Sequence, residues 1–483
     1  MAIDKADQAG RIVALVLIGI TAMRVLALGL TPLGPDVEEA QYWLWSQTPD
    51  AGYFTKPPMI AWVIGLTTAI FGDSLFGIKS AAPFLQLASA LVIGRITAQF
   101  STPLAGHLAS LIWITMPAAA LSSFIISTDS PMLFFMLASM LLLAPLARGE
   151  TLSLRETLLA GIFAGLAMMA KYAALYLPAG VVLWWLWQGR RDFRPDPRFI
   201  GVFVLGMLVS LAPNIIWNLM NGFVTVGHLE HNADLGGTSP SWLRSIGFLA
   251  AQAGIVGPLM LILVIMALAA TWRDRACRFW IALAAPALMM ITAQAYFSNA
   301  NANWAAASWP PLVVLAAHWL ASSWQGWKKR AGQIALGLNG VIALGLVAVT
   351  ISGSFGPLTP ASDPLRRLRG WQDHAAMLTP LISETGAEAV VTTRRGHAAK
   401  LHWLLRDIPV VVELIDSNGV AENHFEQNHP WQPQPGRVII LVHGNPVIGH
   451  EQSLTPIAPA RESRLAISRK RDRQLYFHAA VER

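Results

Sequence analysis

Cysteine is almost absent from this chain, and charge is scarce. Its 483 residues include a single cysteine, Cys277, so no intramolecular disulfide can form. Charged residues make up 13% of the chain and apolar residues 54%, and the mean hydropathy is +0.47. A soluble globule of this length needs more charge to cover its surface. The composition therefore excludes that class and predicts a polytopic α-helical membrane protein.

The apolar residues fall into runs of membrane-spanning length. A hydrocarbon core of about 30 Å needs roughly 20 helical residues. The first run, 12–30, has this length and no small-residue cleavage site after it, so we expect a retained helix and not a signal peptide. About eleven spans are predicted, at 12–30, 74–98, 104–122, 131–147, 158–170, 173–187, 199–217, 246–272, 279–297, 304–324 and 334–352.

The charges of the connecting loops alternate. Fifteen lysines and arginines fall in the loops of one side and three, Lys56, Lys79 and Arg244, in those of the other. The positive-inside rule then predicts a cytoplasmic N-terminus and places residues 31–62 outside. An odd number of spans puts the C-terminus outside as well. Because this arrangement accounts for the net charge of +7, nucleic acid is not predicted as a partner.

The composition changes after residue 352. Residues 355–483 hold fifteen basic and thirteen acidic side chains and no run long enough to span. Strands are predicted at 387–393, 408–414 and 437–443, helices at 371–384 and 397–407, and a hairpin within 464–481 that turns at Arg471 and Asp472. The sequence thus predicts a membrane domain, 1–354, and a small soluble α/β domain, 355–483.

The first outer loop, 31–62, concentrates reactive side chains. Asp36, Glu38 and Glu39 precede the segment AQYWLWSQ, which we expect to lie as an amphipathic helix along the interface. Carboxylates there act as a general base or bind a metal, or they only favour a helix N-terminus. Lys56 precedes two prolines that stiffen the backbone, and a lysine fixed at this depth suits a phosphate. Snorkelling to the membrane surface is the alternative.

These features together resemble a known family. An N-terminal span, an acidic pair before A-x-Y, an F-x-K-P-P block and a soluble domain after many spans are similar to the GT-C superfamily. More narrowly, they resemble the bacterial family 39 and aminoarabinose-transferase type of polyprenyl-phosphate-sugar glycosyltransferases. The resemblance implies an inverting enzyme on the periplasmic side of the inner membrane. Its partners would be a polyprenyl-phosphate-linked sugar donor and a lipid A, lipopolysaccharide, glycan or protein acceptor.

The resemblance also implies catalytic acids. The family's acid falls on Glu38, with Glu39 beside it, where relatives most often have Asp-Glu. Because a glutamate here reaches one methylene further than the usual aspartate, Asp36 remains a rival. A second family acid matches Asp129, at the outer mouth of a span.

Three basic residues are candidates for binding the donor phosphate. Lys56 matches the family's phosphate lysine, and Lys171 matches a lysine that recurs after the fifth span. Arg24 lies within the first span, where a charge faces a cavity, an acid or a structural partner. Aminoarabinose enzymes carry a metal-binding glutamate before the phosphate lysine, whereas this chain has Thr55. No cofactor is therefore established, and a divalent metal stays an open alternative.

Further polar and aromatic residues of the outer side are candidates for substrate binding. The His-x-x-His spacing would place two rings on one helical face, which suits either a metal or a substrate. Amides with a neighbouring tryptophan could bind sugar hydroxyls, although helix capping explains the amides equally well. The candidates are Tyr42, Tyr53, His228, His231, Asn303 and Trp304.

Two other classes of protein are alternatives to an enzyme. A transporter or flippase of the lipid-linked sugar would show inverted repeats and broken helices, and neither is evident in the sequence. A non-enzymatic scaffold leaves Arg24, Lys171 and the acidic loop unexplained. The sequence therefore favours a glycosyltransferase and leaves its sugar and acceptor open.

Overall fold

The computed structural model describes residues 2–188, 197–225, 227, 240–356, 363–416, 418–444, 453–468 and 471–483. The chain divides into two compact units. The first comprises Met1–Gly29, Lys56–Val63 and Lys79–Ala348, and the second comprises Leu30–Thr55, Ile64–Ile78 and Val349–Arg483. Most of the first outer loop is therefore part of the unit that contains the C-terminal residues.

Helices dominate the described residues. The α-helices are α1 (Ala2–Leu30), α2 (Val37–Gln47), α3 (Met59–Phe71), α4 (Leu75–Lys79), α5 (Ala81–Phe100), α6 (Pro103–Thr115), α7 (Pro117–Leu121), α8 (Asp129–Leu143), α9 (Leu154–Ala170), α10 (Tyr176–Gln188), α11 (Pro197–Met220), α12 (Trp242–Val256), α13 (Pro258–Thr271), α14 (Arg275–Phe297), α15 (Trp309–Ala321), α16 (Gly326–Ser352), α17 (Trp371–Thr385), α18 (Arg395–Leu404) and α19 (His424–Asn428). Short 3-10 helices cover Ala144–Arg148, Tyr172–Leu175, Ala302–Ser308 and Pro364–Arg367.

Six helical segments of the described chain are long and apolar enough to cross a membrane. Every predicted span contains helix, but several are divided into pieces too short to count by length alone. The predicted number of eleven is therefore not reproduced by length and composition. The six segments are Gln8–Leu30, Leu75–Phe100, Asp129–Arg148, Pro197–Met220, Arg275–Phe297 and Gly326–Ser352.

One predicted span, 246–272, is broken in its middle. The chain bends by 109° between helices α12 and α13. Gly257 at the break has a φ of 98°, and Pro258 after it has no N–H to continue the helix. The Nδ2 of Asn339 donates to the carbonyl of Val256 at 2.8 Å, which satisfies a backbone group that the break leaves open. The expectation of unbroken spans was wrong here, because Gly-Pro interrupts the apolar run.

Small residues set how closely helices approach in the first unit. A methyl group on Gly161 of α9 would lie 2.1 Å from the carbonyl of Phe203 in α11. One on Gly206 of α11 would lie 2.4 Å from the carbonyl of Leu158. Only glycine permits this backbone contact, which is typical of helices that pack within a membrane. A buried core that includes Trp113 and Trp280 completes the unit.

The second unit is built on a mixed sheet. Its strands are β1 (Ala389–Thr392), β2 (Val411–Leu414), β3 (Val438–His443), β4 (Leu454–Pro456), β5 (Arg461–Ser468) and β6 (Arg471–Glu482). The order is β2-β1-β3-β6-β4, and β5 also pairs with β6. Strand β1 runs parallel to β2 and β3, whereas β6 is antiparallel to β3, β4 and β5.

Both faces of this sheet are buried. Val390 and Ile440 lie in the core that α17 and α18 cover, while Val391 and Ile439 lie in the core on the opposite face. The predicted strands, helices and hairpin are confirmed, although β6 begins at Arg471, so the hairpin turns earlier than predicted.

Candidate functional site

The second family acid and the recurring lysine form an ion pair in the first unit. Asp129 is the first residue of α8, where the positive end of the helix dipole favours a carboxylate. Lys171 lies at the break between α9 and the following 3-10 helix, in an extended conformation. Its Nζ donates to Asp129 Oδ1 at 2.7 Å, and the two side chains are 20% and 12% exposed. The pair is shielded from bulk water without being closed off from a ligand.

A third predicted residue, Asn303, binds the other oxygen of the same carboxylate. Its Nδ2 donates to Asp129 Oδ2 at 3.0 Å. The 3-10 helix that carries it is held by Gln252 of α12, whose Nε2 donates to the first carbonyl of that helix at 3.2 Å. Trp304, also predicted, is half-buried and packs beside Phe248. The structure therefore brings Asp129, Lys171 and Asn303 together at one carboxylate.

Sequence analysis missed a polar network next to this pair. Tyr172, the neighbour of Lys171, donates through its hydroxyl to Asn214 Oδ1 at 2.5 Å. Asn218 Nδ2 donates to the Tyr172 hydroxyl at 3.3 Å. Both asparagines are buried in α11. Their signal was present in the sequence as two amides four residues apart inside an apolar run, where polar residues are usually functional.

Arg24 has neutral partners in the first unit. Its guanidinium is buried and donates to Ser123 Oγ at 3.0 Å and to the carbonyl of Ile114 at 2.6 Å. That carbonyl lies in the last turn of α6, where backbone oxygens lack an intrahelical donor. These contacts support the structural alternative weighed for Arg24, and its role in phosphate binding stays a prediction.

Two of the three acids of the first outer loop cap helix α2. Asp36 is the N-cap residue, and its side chain accepts from the backbone N–H of Glu38. Glu39 is fully buried, and its Oε2 accepts from the backbone N–H of Asp36 at 2.7 Å. This reciprocal arrangement is a capping box. The capping box gives Asp36 and Glu39 structural roles. The side chain of Glu38, the third acid, takes no part in it.

Glu38 pairs instead with an arginine of the C-terminal segment, within the second unit. Arg395 Nη2 donates to Glu38 Oε1 at 2.7 Å, and its Nη1 donates to Gln41 Oε1 at 2.8 Å. The arginine and glutamate side chains are 34% and 40% exposed. A pair this accessible adds about 0.2–1 kcal/mol to stability. Arg395 was not predicted, because an arginine 357 residues from its partner gives no local signal.

The aromatic residues of α2 are covered by protein. Trp45 stacks on Tyr53 with ring centroids 4.5 Å apart, and Trp43 meets Trp403 of α18 edge-on at 4.9 Å. Tyr42 is also buried. Burial raises the pKa of Tyr53 to about 12, so its hydroxyl stays protonated and donates to the carbonyl of Trp45 at 2.9 Å. The expectation of an amphipathic helix along the interface does not hold for these aromatic side chains, which are covered by protein. Substrate binding by Tyr42 and Tyr53 stays a prediction.

Three histidines of the second unit cluster beside these aromatics, His424 buried and His402 and His429 half-buried. The rings of His402 and His429 are 4.6 Å apart, and His424 lies edge-on to Trp45 at 5.5 Å. Burial, with the neighbouring histidines as the lesser cause, lowers the pKa of His402 and of His424 to about 3. Both rings are therefore neutral at physiological pH.

The remaining predicted residues bear on phosphate and metal binding. Lys56 is half-buried just before α3, and its role with the donor phosphate stays a prediction. The hydroxyl of Thr55, at the position where the aminoarabinose enzymes carry a metal-binding glutamate, is buried and has no hydrogen-bond partner among the residues that the structure describes. Within the described ranges, no three histidine, cysteine or acidic side chains are placed to share a metal ion. His228 and His231 lie outside the residues that the structure describes.

Comparison with known proteins adds relatives over most of the chain. A family model described as dolichyl-phosphate-mannose-protein mannosyltransferase matches residues 55–217. The lipid A galacturonosyltransferase RgtD of Rhizobium johnstonii is 31% identical over 437 residues, which cover 89% of this chain and 90% of that protein. The undecaprenyl phosphate-alpha-4-amino-4-deoxy-L-arabinose arabinosyl transferase of Shewanella sediminis is 28% identical over 222 residues, or 41% of this chain and 38% of that protein.

Solved structures share the fold. The crystal structure of ArnT from Cupriavidus metallidurans in the apo state superposes with a TM-score of 0.69 at 15% identity, over 98% of both chains. The same protein bound to undecaprenyl phosphate gives a TM-score of 0.69 at 14% identity, over 96% of this chain and 97% of that one. The predicted architecture, a helical membrane protein with a small C-terminal α/β domain, is confirmed by this match.

Proposed function

This chain belongs to the GT-C superfamily of membrane glycosyltransferases, in the group of the lipid A transferases, and we propose that it moves a uronosyl sugar from a polyprenyl-phosphate donor to lipid A. It is a multi-pass protein of the inner membrane and an enzyme, not a flippase. The observation that supports the sugar class is the 31% identity to a galacturonosyltransferase over 89% of this chain. A uronosyl sugar differs from a neutral hexose by a carboxylate at C6.

The proposed orientation follows from the loop charges. We place the N-terminus in the cytoplasm, and α2 and residues 355–483 in the periplasm. The polyprenyl tail of the donor then stays in the outer leaflet while its sugar phosphate meets the outer ends of the helices. Residues 355–483 select and position the acceptor.

Lys171 is the proposed partner of the donor phosphate, with Lys56 as a second cation. A lysine is a compact charge suited to phosphate. Its ion pair with Asp129 holds the ammonium in place before the donor binds, as the 2.7 Å contact supports. As the bond between C1 of the sugar and the phosphate oxygen breaks, negative charge builds on the phosphate, so a fixed cation stabilises the transition state more than the bound donor.

Glu38 is the proposed general base. The acceptor oxygen forms a bond to C1 while its proton passes to the carboxylate, and the electron pair of the broken bond leaves with the polyprenyl phosphate. Asp36 and Glu39 are weaker candidates, because their carboxylates bind backbone N–H groups of the capping box. A single displacement of this kind inverts the configuration at C1.

The experiment that tests the function is transfer by purified protein in sealed proteoliposomes. Polyprenyl-phosphate galacturonate and lipid A are supplied, and the release of polyprenyl phosphate is measured together with the mass of lipid A. The proposal expects equal amounts of free polyprenyl phosphate and of lipid A heavier by one uronosyl residue. Movement of intact donor between leaflets without its consumption would support the flippase instead.

A further inference from the structure

Arg395 is the first residue of α18, and its partly exposed guanidinium is accessible to a ligand. Its two terminal nitrogens bind oxygens of two different side chains, one oxygen of Glu38 and the amide oxygen of Gln41. Glu38 and Gln41 are three residues apart, so they lie on the same face of α2. Arg395 is 34% exposed and Glu38 is 40% exposed, so the pair is accessible.

The position of Arg395 does not depend on its ion pair. Lys400, buried one turn and a half further along α18, donates to the carbonyl of Pro35. Trp403 packs edge-on against Trp43 of α2. The opposite side of α18 contributes Leu401 to the core above the sheet. These buried contacts fix the start of α18 next to α2, so the guanidinium stays in place when Glu38 leaves it.

The bonds that Arg395 makes are not the best that a guanidinium can make. Its fork matches both oxygens of one carboxylate, and such two-pronged pairs are stronger and more specific than single contacts. Here only one of its two partners is charged. Gln41 also keeps a spare donor, since its buried Nε2 has no hydrogen-bond partner among the described residues. The guanidinium is thus arranged for an anion, and the carboxylate that now occupies it belongs to the proposed base.

We propose that Arg395 determines specificity by binding the C6 carboxylate of the transferred uronosyl sugar, which replaces Glu38 on the guanidinium and frees Glu38 to accept the proton of the acceptor. This inference rests on the proposed function and names the group that recognises its sugar. A neutral sugar would leave the Arg395–Glu38 pair intact and the base occupied.

The test compares two donors on the full-length enzyme. Polyprenyl-phosphate galacturonate and polyprenyl-phosphate galactose differ only in whether C6 carries a carboxylate or a hydroxyl. The value of kcat/KM is measured with each donor for the wild type, Arg395→Gln, Arg395→Lys and the control Arg394→Gln, which changes the exposed neighbouring arginine. Arg395→Gln should lower kcat/KM for the galacturonosyl donor roughly 10- to 100-fold. It should not lower kcat/KM for the galactosyl donor, because the substitution also releases Glu38 from its ion pair. Arg395→Lys, which keeps the charge and loses the fork, should fall between, and the control should match the wild type.

Competition by soluble ligands provides a second measurement. Free galacturonate should inhibit the wild type more than galactose does, and this difference should disappear in Arg395→Gln. Stronger inhibition by inorganic phosphate than by galacturonate would assign the site to a phosphate of the acceptor and overturn the proposal. If Arg395→Gln does not fold, Arg395→Lys and inhibition of the wild type decide the matter.

The outcomes separate this inference from the function on which it rests. An equal loss with both donors would mean that Arg395 only positions Glu38, and an unchanged ratio of the two kcat/KM values would mean that it does not read the sugar. Either result overturns the inference while the wild type still transfers galacturonate. A wild type that transfers galactose in preference would overturn the proposed function and the inference with it.

Discussion

Replacing Asp129 by asparagine should make the protein bind polyprenyl phosphate more tightly while it transfers sugar more slowly. The carboxylate competes with the phosphate for Lys171, to which it is joined at 2.7 Å. A hydrogen bond to a charged group contributes about 1.5–3 kcal/mol. Because the side chains are 20% and 12% exposed, we take the lower end of that range. At about 1.4 kcal/mol per factor of ten, the affinity should rise about tenfold.

A double-mutant cycle shows whether Asp129 acts through Lys171. Lys171→Met should weaken binding of undecaprenyl phosphate about tenfold, since it removes a charged hydrogen bond to the phosphate. In the Lys171→Met background, the further change Asp129→Asn should then have no effect on affinity. The assay is titration of the purified variants with undecaprenyl phosphate, followed by single-turnover transfer. Arg148→Gln is the matched control, because it breaks an exposed ion pair with Glu150 whose side chains are 37% and 52% exposed.

One result would refute this reasoning. If Asp129→Asn weakens binding as much as Lys171→Met does, the carboxylate does not compete with the phosphate, and the pair serves only to hold α8 against the break after α9. A tightening that persists without Lys171 would instead point to a different cation.

The remaining predictions concern catalysis, orientation, the broken helix and acid stability. Glu38→Gln should slow transfer about 10²- to 10⁴-fold without weakening donor binding, whereas Lys56→Ala should reduce both transfer and donor affinity, and near wild-type transfer by Glu38→Gln would exclude it as the base. Because Cys277 is buried, orientation is better tested with exposed positions in a cysteine-free background: an impermeant thiol reagent should label Gln47→Cys and Gln432→Cys in intact cells and not Gln325→Cys, and the reverse pattern would invert the topology. Gly257→Ala should lower the unfolding temperature, because the new methyl group would lie 1.8 Å from Asn339 Oδ1 at a φ of 98°. The control Gly254→Ala, inside α12, meets nothing within 4 Å and should not lower it. The folded-state pKa of His402 is about 3 against an ordinary value of 6.5, so the unfolded chain binds the extra proton between these values and stability should fall as the pH drops through that window. His402→Phe should make the fall shallower, and an unchanged pH dependence of unfolding would contradict the assignment.

The secondary-structure elements that depend on local residue patterns could be predicted from the sequence. Three strands of the C-terminal segment and its hairpin follow from alternation and turn residues, and the C-terminal ends of α1 and α16 follow from apolar runs. The break at Gly257 could also have been predicted from its Gly-Pro dipeptide. The break was missed because the length and hydropathy of the apolar run 246–272 indicated one continuous span, despite the Gly257-Pro258 turn signal within it.

For the candidate site, single residues could be predicted from the sequence, but the contacts between them could not. Asp129 and Lys171 were found through the family resemblance, and Asn303 through its position beside a tryptophan at a helix end, but nothing in the sequence indicated that all three meet. Arg395 carried no signal at all, because a soluble-domain arginine is usually solvated. Contacts between residues distant in sequence depend on how whole elements pack, which periodicity does not encode.

The packing of α18 against α2 sets an order of events during synthesis. Helix α2 emerges early, yet the residues that cover its aromatic face begin at Arg395, and the ion pair joins positions 357 residues apart. At roughly 5 to 20 residues per second, about 20 to 70 s separate the two. Throughout that time Trp43 and Trp45 lack the cover they have in the finished fold. The segment around α2 therefore reaches its final packing last although it is made first, and a ribosome that stalls before α18 would leave these two tryptophans without the residues that bury them.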